Sequence, residues 1–218
     1  MVVAVVGLLL ALLLPVLASA REAGRTAVCL SNLRQCFVIC RGYADDNAGV
    51  GPAIGQPYAG LPNWALVVQQ GAGREGATAG ELYVEASCLV CPQSSAELGR
   101  AMTRTYAMNA TGHAGVHGDP DNFDLVPPPN APPAAIRFDK VTRPGEVALL
   151  LDSSPPPTGP GQPPPTRTSS VIDFRNADHT PARVAFIHPS GAGFNAVRFD
   201  GSAVSLREVP ELWKRPLP

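Results

Sequence analysis

The chain is poor in charge: Asp, Glu, Lys and Arg make up 16% of its 218 residues, and the formal net charge is −1. That balance excludes a basic surface for nucleic acid and an acidic solvating arm, so electrostatics names no partner. The sequence also lacks a G-x-S-x-G elbow, a Walker A loop, an H-E-x-x-H helix and a G-x-G-x-x-G after a strand, which removes the usual nucleophile, phosphate, zinc-protease and dinucleotide readings. Five cysteines are too few for a disulfide-dense miniature scaffold, and their odd number leaves at least one thiol unpaired in the monomer. Cys88-x-x-Cys91 has no second Cys-x-x-Cys to complete a zinc site. What is abundant is proline and glycine, 24 and 21 residues. That usage is above average yet short of whole-chain disorder. The length suits one domain with a real core, plus an appendage.

No charged residue occurs from Val2 to Ala20. A helix of that length rises about 28 Å, close to the thickness of a bilayer's hydrocarbon core. A cleaved signal peptide, a plain signal anchor and the half-buried helix of a pilin all fit such a run. Ala18-Ser19-Ala20 has the small-x-small pattern of a signal-peptidase site. However, no Lys or Arg precedes the run, whereas Arg21 and Arg25 follow it, which by the charge rule places its C-terminal end in the cytoplasm. Pro15 lies inside the run and removes one helical hydrogen bond, making it a candidate kink.

From Ala20 to about Ala44 the pattern is an amphipathic helix, with Leu30, Leu33, Phe37, Cys40 and Ala44 at steps of three and four and Cys29, Cys36 and Cys40 on one stripe. Asp45 to Gly49 supplies the stop, with Asn47 and Gly49 suited to a left-handed cap. This divides the chain into an apolar helical half (1–20), an amphipathic half (21–48) and a head (49–218).

In the head, Trp64 to Val68 is a short helix or a buried strand, and periodicity does not arbitrate. The tracts 127–133 and 153–165 are proline-rich and read as exposed loops. Between them, Glu146 to Asp152 reads as a strand buried on both faces. Asn195 to Arg207 reads as a hairpin around Asp200-Gly201. A two-residue type I′ turn there sets Phe199 opposite Ser202, Val197 opposite Val204 and Asn195 opposite Leu206. Ala182 to Ile187 is a candidate neighbouring strand. His113, His117, Asp119, Asp121 and Asp124 could supply hard and borderline metal ligands, but their spacing matches no calcium loop and Pro120 interrupts them, so a solvated polar loop is the simpler expectation.

The run VVAVVGLLLALLLPVLASAREAGRTAVCLSNLRQ resembles the N-terminus of prepilin-type cleavage/methylation proteins that carry an H-x9-DG signature near the C-terminus, relatives of type II secretion pseudopilins and type IV pilins. In the same order, Cys91-Pro92, Thr105 to Asn109 and Glu146 to Asp152 resemble that family's CP, SYxMN and ETLLLAD segments. His188 precedes Asp200-Gly201 with eleven intervening residues, two more than the signature. The family's basic leader is absent, and the resemblance implies that it lies upstream of Met1. It further implies an α+β, pilin-like fold in which one long helix packs on a small antiparallel sheet. The expected protein is a non-catalytic, cofactor-free pseudopilin-like subunit. It would be anchored by a single pass in the inner membrane with its head in the periplasm or at the cell surface, and its partners would be the membrane and other pilin-like subunits rather than nucleic acid. The cysteines matching the family's are Cys29 and Cys91, a candidate disulfide for which Cys88 competes. The rival from another class is a secreted or periplasmic enzyme or binding protein cut after Ala20, with His117, Asp119, Asp173 and His179 as raw material for a site.

Overall fold

A single helix, α1 (Val2–Asp46), organises the molecule. In the computed structural model the described residues are 2–54, 63–76, 79–111, 134–188 and 191–215, with the side chains of α1 described from residue 11 onward and at Gly7. After α1 come β1 (Val50–Ala53), α2 (Trp64–Gly71), α3 (Ala79–Leu82), α4 (Pro92–Glu97), β2 (Tyr106–Asn109), β3 (Ala135–Arg137), β4 (Ala148–Asp152), β5 (Val171–Ile172), α5 (His179–Arg183), β6 (Phe194–Arg198) and β7 (Ala203–Leu206). The result is a mixed fold of one long N-terminal helix and a small, mainly antiparallel sheet.

α1 continues through Pro15 and Ala20 without interruption. Its buried stripe is Cys29, Leu33, Cys36, Cys40 and Ala44, the faces that steps of three and four bring together. N-terminal to Cys29 the described side chains are exposed or half-buried, and Leu12, Leu13, Leu14, Val16 and Leu17 are 48 to 64% exposed. Among the described residues no helix is long and apolar enough to cross a membrane. At the far end the amides of Asn47 and Gly49 both donate to the Ala44 carbonyl, at 3.1 and 2.8 Å. Ala48 and Gly49, not Asn47, take the left-handed conformation, and the Asn47 amide group instead donates to the Tyr43 carbonyl at 2.7 Å.

The main sheet has the order β5-β2-β4-β6-β7, antiparallel except for β2 beside β5. The pair β1 and β3 forms a separate two-stranded sheet. β4 lies centrally and all five of its residues are buried. A bulge between Ala148 and Leu150 interrupts the alternation of that strand. As a result Leu149 and Leu150 both join the core under α1, while Ala148 and Leu151 join a second core on the opposite face. That second core is closed by Trp213, which meets Phe174 and Phe194 at ring separations of 5.8 and 6.0 Å and donates from Nε1 to the Glu146 carbonyl.

Trp64 to Val68 resolves as helix, because Asn63 caps it by accepting from the Leu66 amide at 3.0 Å. The glycines at 71, 73 and 76 have the spacing of a nucleotide-binding fingerprint, yet they follow α2 and not a strand, so the context that spacing needs is missing. Two expectations for the C-terminal region are corrected. Ala182 to Ile187 is not a strand: its first part belongs to α5, and only Val184 makes an isolated bridge, to Ser153. The hairpin is shifted by one residue. Phe194 pairs with Leu206, Ala196 with Val204 and Val197 with Ala203, and the Arg198 amide donates to the Ser202 carbonyl. The loop is therefore Phe199-Asp200-Gly201, three residues long, with Gly201 alone at positive φ (+86°) and its amide donating to the Arg198 carbonyl. This is a turn followed by a left-handed glycine, where Asp200 needs no unusual backbone. The shift moves Val204 off the face of Val197 and onto that of Ala196.

Candidate functional site

Four separate segments converge where α1 leaves the head. α1 contributes Cys29 and, one turn earlier, the half-buried Thr26. The loop entering α4 contributes Cys91, the last residue of β4 is Asp152, and the segment before β6 contributes His188. Cys29 and Cys91 are joined as a disulfide, with their Cα atoms 4.7 Å apart, and Cys88 remains a buried free thiol. Other bonds hold the same junction: Asn32 Nδ2 donates to the Val90 carbonyl at 2.8 Å, and the Tyr106 hydroxyl donates to the Cys29 carbonyl at 3.1 Å.

His188 is fully buried. Its Nδ1 is 2.9 Å from Thr26 Oγ1, its Nε2 is 3.2 Å from Cys91 Sγ, and that same Nε2 is 3.5 Å from Asp152 Oδ2. The backbone places it there through a bridge to Gly193, whose carbonyl accepts from the His188 amide at 2.6 Å. Gly193 has to be small, because a Cβ there would sit 2.3 Å from the His188 carbonyl oxygen and 2.6 Å from that of Leu206. Asp152 is also fully buried. Its Oδ2 accepts from the Asn195 amide at 2.7 Å, while Oδ1 has no hydrogen-bond partner.

Burial sets the protonation of both groups. It pushes the Asp152 carboxyl up to about 8, opposed by the Asn195 amide, and pushes the His188 imidazole down to about 4, opposed by the charge of Glu22. Burial raises the Cys36 and Cys40 thiols as well, whereas the hydrogen bond from Cys36 lowers that of Cys88. With its sulfurs joined, the cluster offers no thiol nucleophile and no thiolate ligand.

The remaining sequence candidates do not gather here. His113, His117, Asp119, Asp121 and Asp124 lie outside the described residues. Asp173 pairs on the surface with Arg175, and its amide donates to His179 Nδ1, an arrangement that turns a loop into α5. Asp200 accepts from the amide and hydroxyl of Ser202 and serves the turn. Among the described residues, the one group of three cysteine, histidine or acidic side chains able to share an ion is Cys29, Cys91 and His188. Sequence reasoning paired Cys29 with Cys91 through the family resemblance, noted His188 separately, and missed Thr26 and Asp152 as their neighbours. The signal for Asp152 was a carboxylate ending an otherwise wholly apolar strand. No family model, curated protein or solved structure matches the chain.

Proposed function

We propose that the chain is a pilin-like subunit, related to type II secretion pseudopilins, anchored in the inner membrane by a single pass with a non-catalytic head in the periplasm or at the cell surface. The observation that carries this reading is the division of α1. Its C-terminal half is built into the head's core, while Leu12, Leu13, Leu14, Val16 and Leu17 stay exposed and, among the described residues, belong to neither core. A contiguous apolar surface of that kind needs lipid or neighbouring helices. The span itself is inferred from the uncharged sequence of residues 2–20. The disulfide suits an oxidising compartment. The secreted rival requires the chain to be cut after Ala20, in the middle of a helix that is continuous here, and its candidate residues Asp173 and His179 are engaged in a surface turn.

Membrane fractionation of the full chain beside a form lacking residues 1–20 tests the anchor, and cysteine cross-linking at Val16→Cys tests assembly. The expected result is a full chain in the membrane fraction, cross-linked between copies, and a truncated chain that is soluble. A full chain recovered as soluble protein with its mature terminus at Arg21 would favour the secreted rival.

A further inference from the structure

We propose that the Cys29–Cys91 disulfide is one of two states of a single buried site, and that in the dithiol state Cys29, Cys91, His188 and Asp152 together hold one zinc ion. The donor atoms of Cys29, Cys91 and His188 all lie within 4.8 Å of one another, and Asp152 Oδ2 is 3.5 Å from His188 Nε2. Zinc with sulfur, nitrogen and oxygen ligands at roughly 2.0 to 2.3 Å spaces its tetrahedral donors by about 3.3 to 3.8 Å, the scale of this cluster. All four residues are fully buried and come from four distant segments, so the closed, water-free character of a structural zinc site is already present.

The outer contacts are those that such ligands need. Thr26 Oγ1 engages His188 Nδ1, which leaves Nε2 directed at the sulfur, and the Asn195 amide orients the Asp152 carboxylate. The cluster also contains an atom that the disulfide state leaves unexplained: Asp152 Oδ1 is buried without a partner, where buried oxygens are otherwise almost always satisfied. The oxygen that faces the cluster is Oδ2, beside His188 Nε2, and a cation held by Cys29, Cys91 and His188 would give this buried carboxylate a charge partner.

The two states are mutually exclusive. A dithiol reductant, itself converted to a disulfide, supplies two electrons and two protons to the Cys29–Cys91 bond and gives two thiols. Zinc then displaces both thiol protons and binds the thiolates. A second disulfide, accepting two electrons from the thiolates and two protons from solvent and leaving as a dithiol, re-forms the sulfur–sulfur bond and releases the ion.

Cobalt is the spectroscopic probe. The full chain in detergent, reduced with a phosphine and freed of it under inert gas, is titrated with Co²⁺ beside the unreduced chain. The reduced chain should take up one equivalent, with the intense visible bands of four-coordinate cobalt and a sulfur-to-cobalt charge-transfer band, and zinc should bleach them. The unreduced chain should show neither. Loss of an outer contact typically weakens such sites roughly 10- to 100-fold, so Thr26→Val should weaken binding by about tenfold and His188→Ala by more. Cys88→Ser should leave binding unchanged. The proposal is overturned if reduced chain binds no stoichiometric cobalt, if unreduced chain binds it equally, or if binding follows Cys88 and ignores Thr26 and His188. A reduced chain that unfolds and is not refolded by cobalt overturns it as well.

Discussion

Asp152 and His188 should give the oxidised head a stability that falls with rising pH just above neutrality, the reverse of acid denaturation. A carboxyl raised to about 8 contributes stability that is fully present below its unfolded value of about 3.9 and is lost as pH rises through 8. An imidazole lowered to about 4 contributes stability that is fully present above its unfolded value of about 6.5 and is lost as pH falls through 4. Between about pH 4 and 6.5 the folded pair and the unfolded pair each hold one proton, so the two slopes cancel. Above about 6.5 the unfolded pair holds none while the folded pair keeps one until about pH 8. That gap of about 1.5 units at 1.36 kcal/mol each amounts to about 2 kcal/mol. The result does not depend on which member of the pair carries the proton. Urea unfolding followed by the fluorescence of Trp64 and Trp213, both fully buried, measures it from about pH 5 to 8. That range stops below the ordinary pKa values of cysteine and tyrosine, near 8.5 and 10. Asp152→Asn should flatten the upper part of the curve. A wild-type stability that is level or rises between about pH 6.5 and 8, or a slope that survives in Asp152→Asn, would refute the reasoning.

The disulfide closes a sequence separation of 62 residues, so Cys91→Ser should cost about 4 kcal/mol of loop entropy, read as a lowered urea midpoint that matches unsubstituted chain under a reductant without metal. Gly193→Ala, whose Cβ would meet two backbone carbonyls, should cost about 2 kcal/mol or more. Gly201→Val, at positive φ and 2.7 Å from the Phe37 ring, should cost about 1 to 3. Thermal melts measure both, and a wild-type melt for Gly193→Ala would mean that the bridge to His188 is misplaced.

The parts of this fold that were legible are those in which one local pattern dictates one local structure. Steps of three and four placed Leu33, Cys40 and Ala44, with Cys29 and Cys36, on the buried stripe, whereas Leu30 and Phe37 of the same expected face are half-buried, and an unbroken apolar run made β4 a strand buried on both faces. The hairpin failed by one residue because Asp-Gly serves both a two-residue loop and a three-residue loop with a left-handed glycine. Nothing local separates the two. The register is decided by packing, which seats Gly201 against Phe37 and Phe194 in the core with Trp213. Ala182 to Ile187 misled for a related reason: the apolar run Val184 to Ile187 has strand-like composition, yet Pro181 sits in α5 and the Ala182 amide bonds back to Asp178. Beyond the Cys29–Cys91 pair that the family resemblance implied, the cluster was illegible, since the α1 turn holding Thr26 and Cys29 meets residues 91, 152 and 188 only through tertiary structure.

The position of that cluster bears on what a helical stalk requires. Among the described side chains of α1, Cys29 is the first fully buried one in chain order, so it marks the point where the helix enters the head. Load on the exposed half of α1 would reach the head there first. Packing alone resists such load weakly, because contacts between a helix and a sheet slide one residue at a time. A covalent bond from Cys29 to Cys91 does not slide, and Cys91 is tied to the start of β2 by its amide donating to Thr105 Oγ1 at 2.6 Å. From β2 the load passes to β4 through antiparallel backbone pairing, and from β4 to β6 and β7. His188 adds a second route from Thr26 to the Gly193 bridge before β6. With the Tyr106 hydroxyl of β2 on the Cys29 carbonyl, the stalk is thus joined to the sheet at three points, all within a turn of its exit from the head. A bond placed deeper, at Cys36 or Cys40, would leave the exit turn free to peel. This explains why, of the three cysteines on the helix's buried stripe, the one at the junction carries the crosslink.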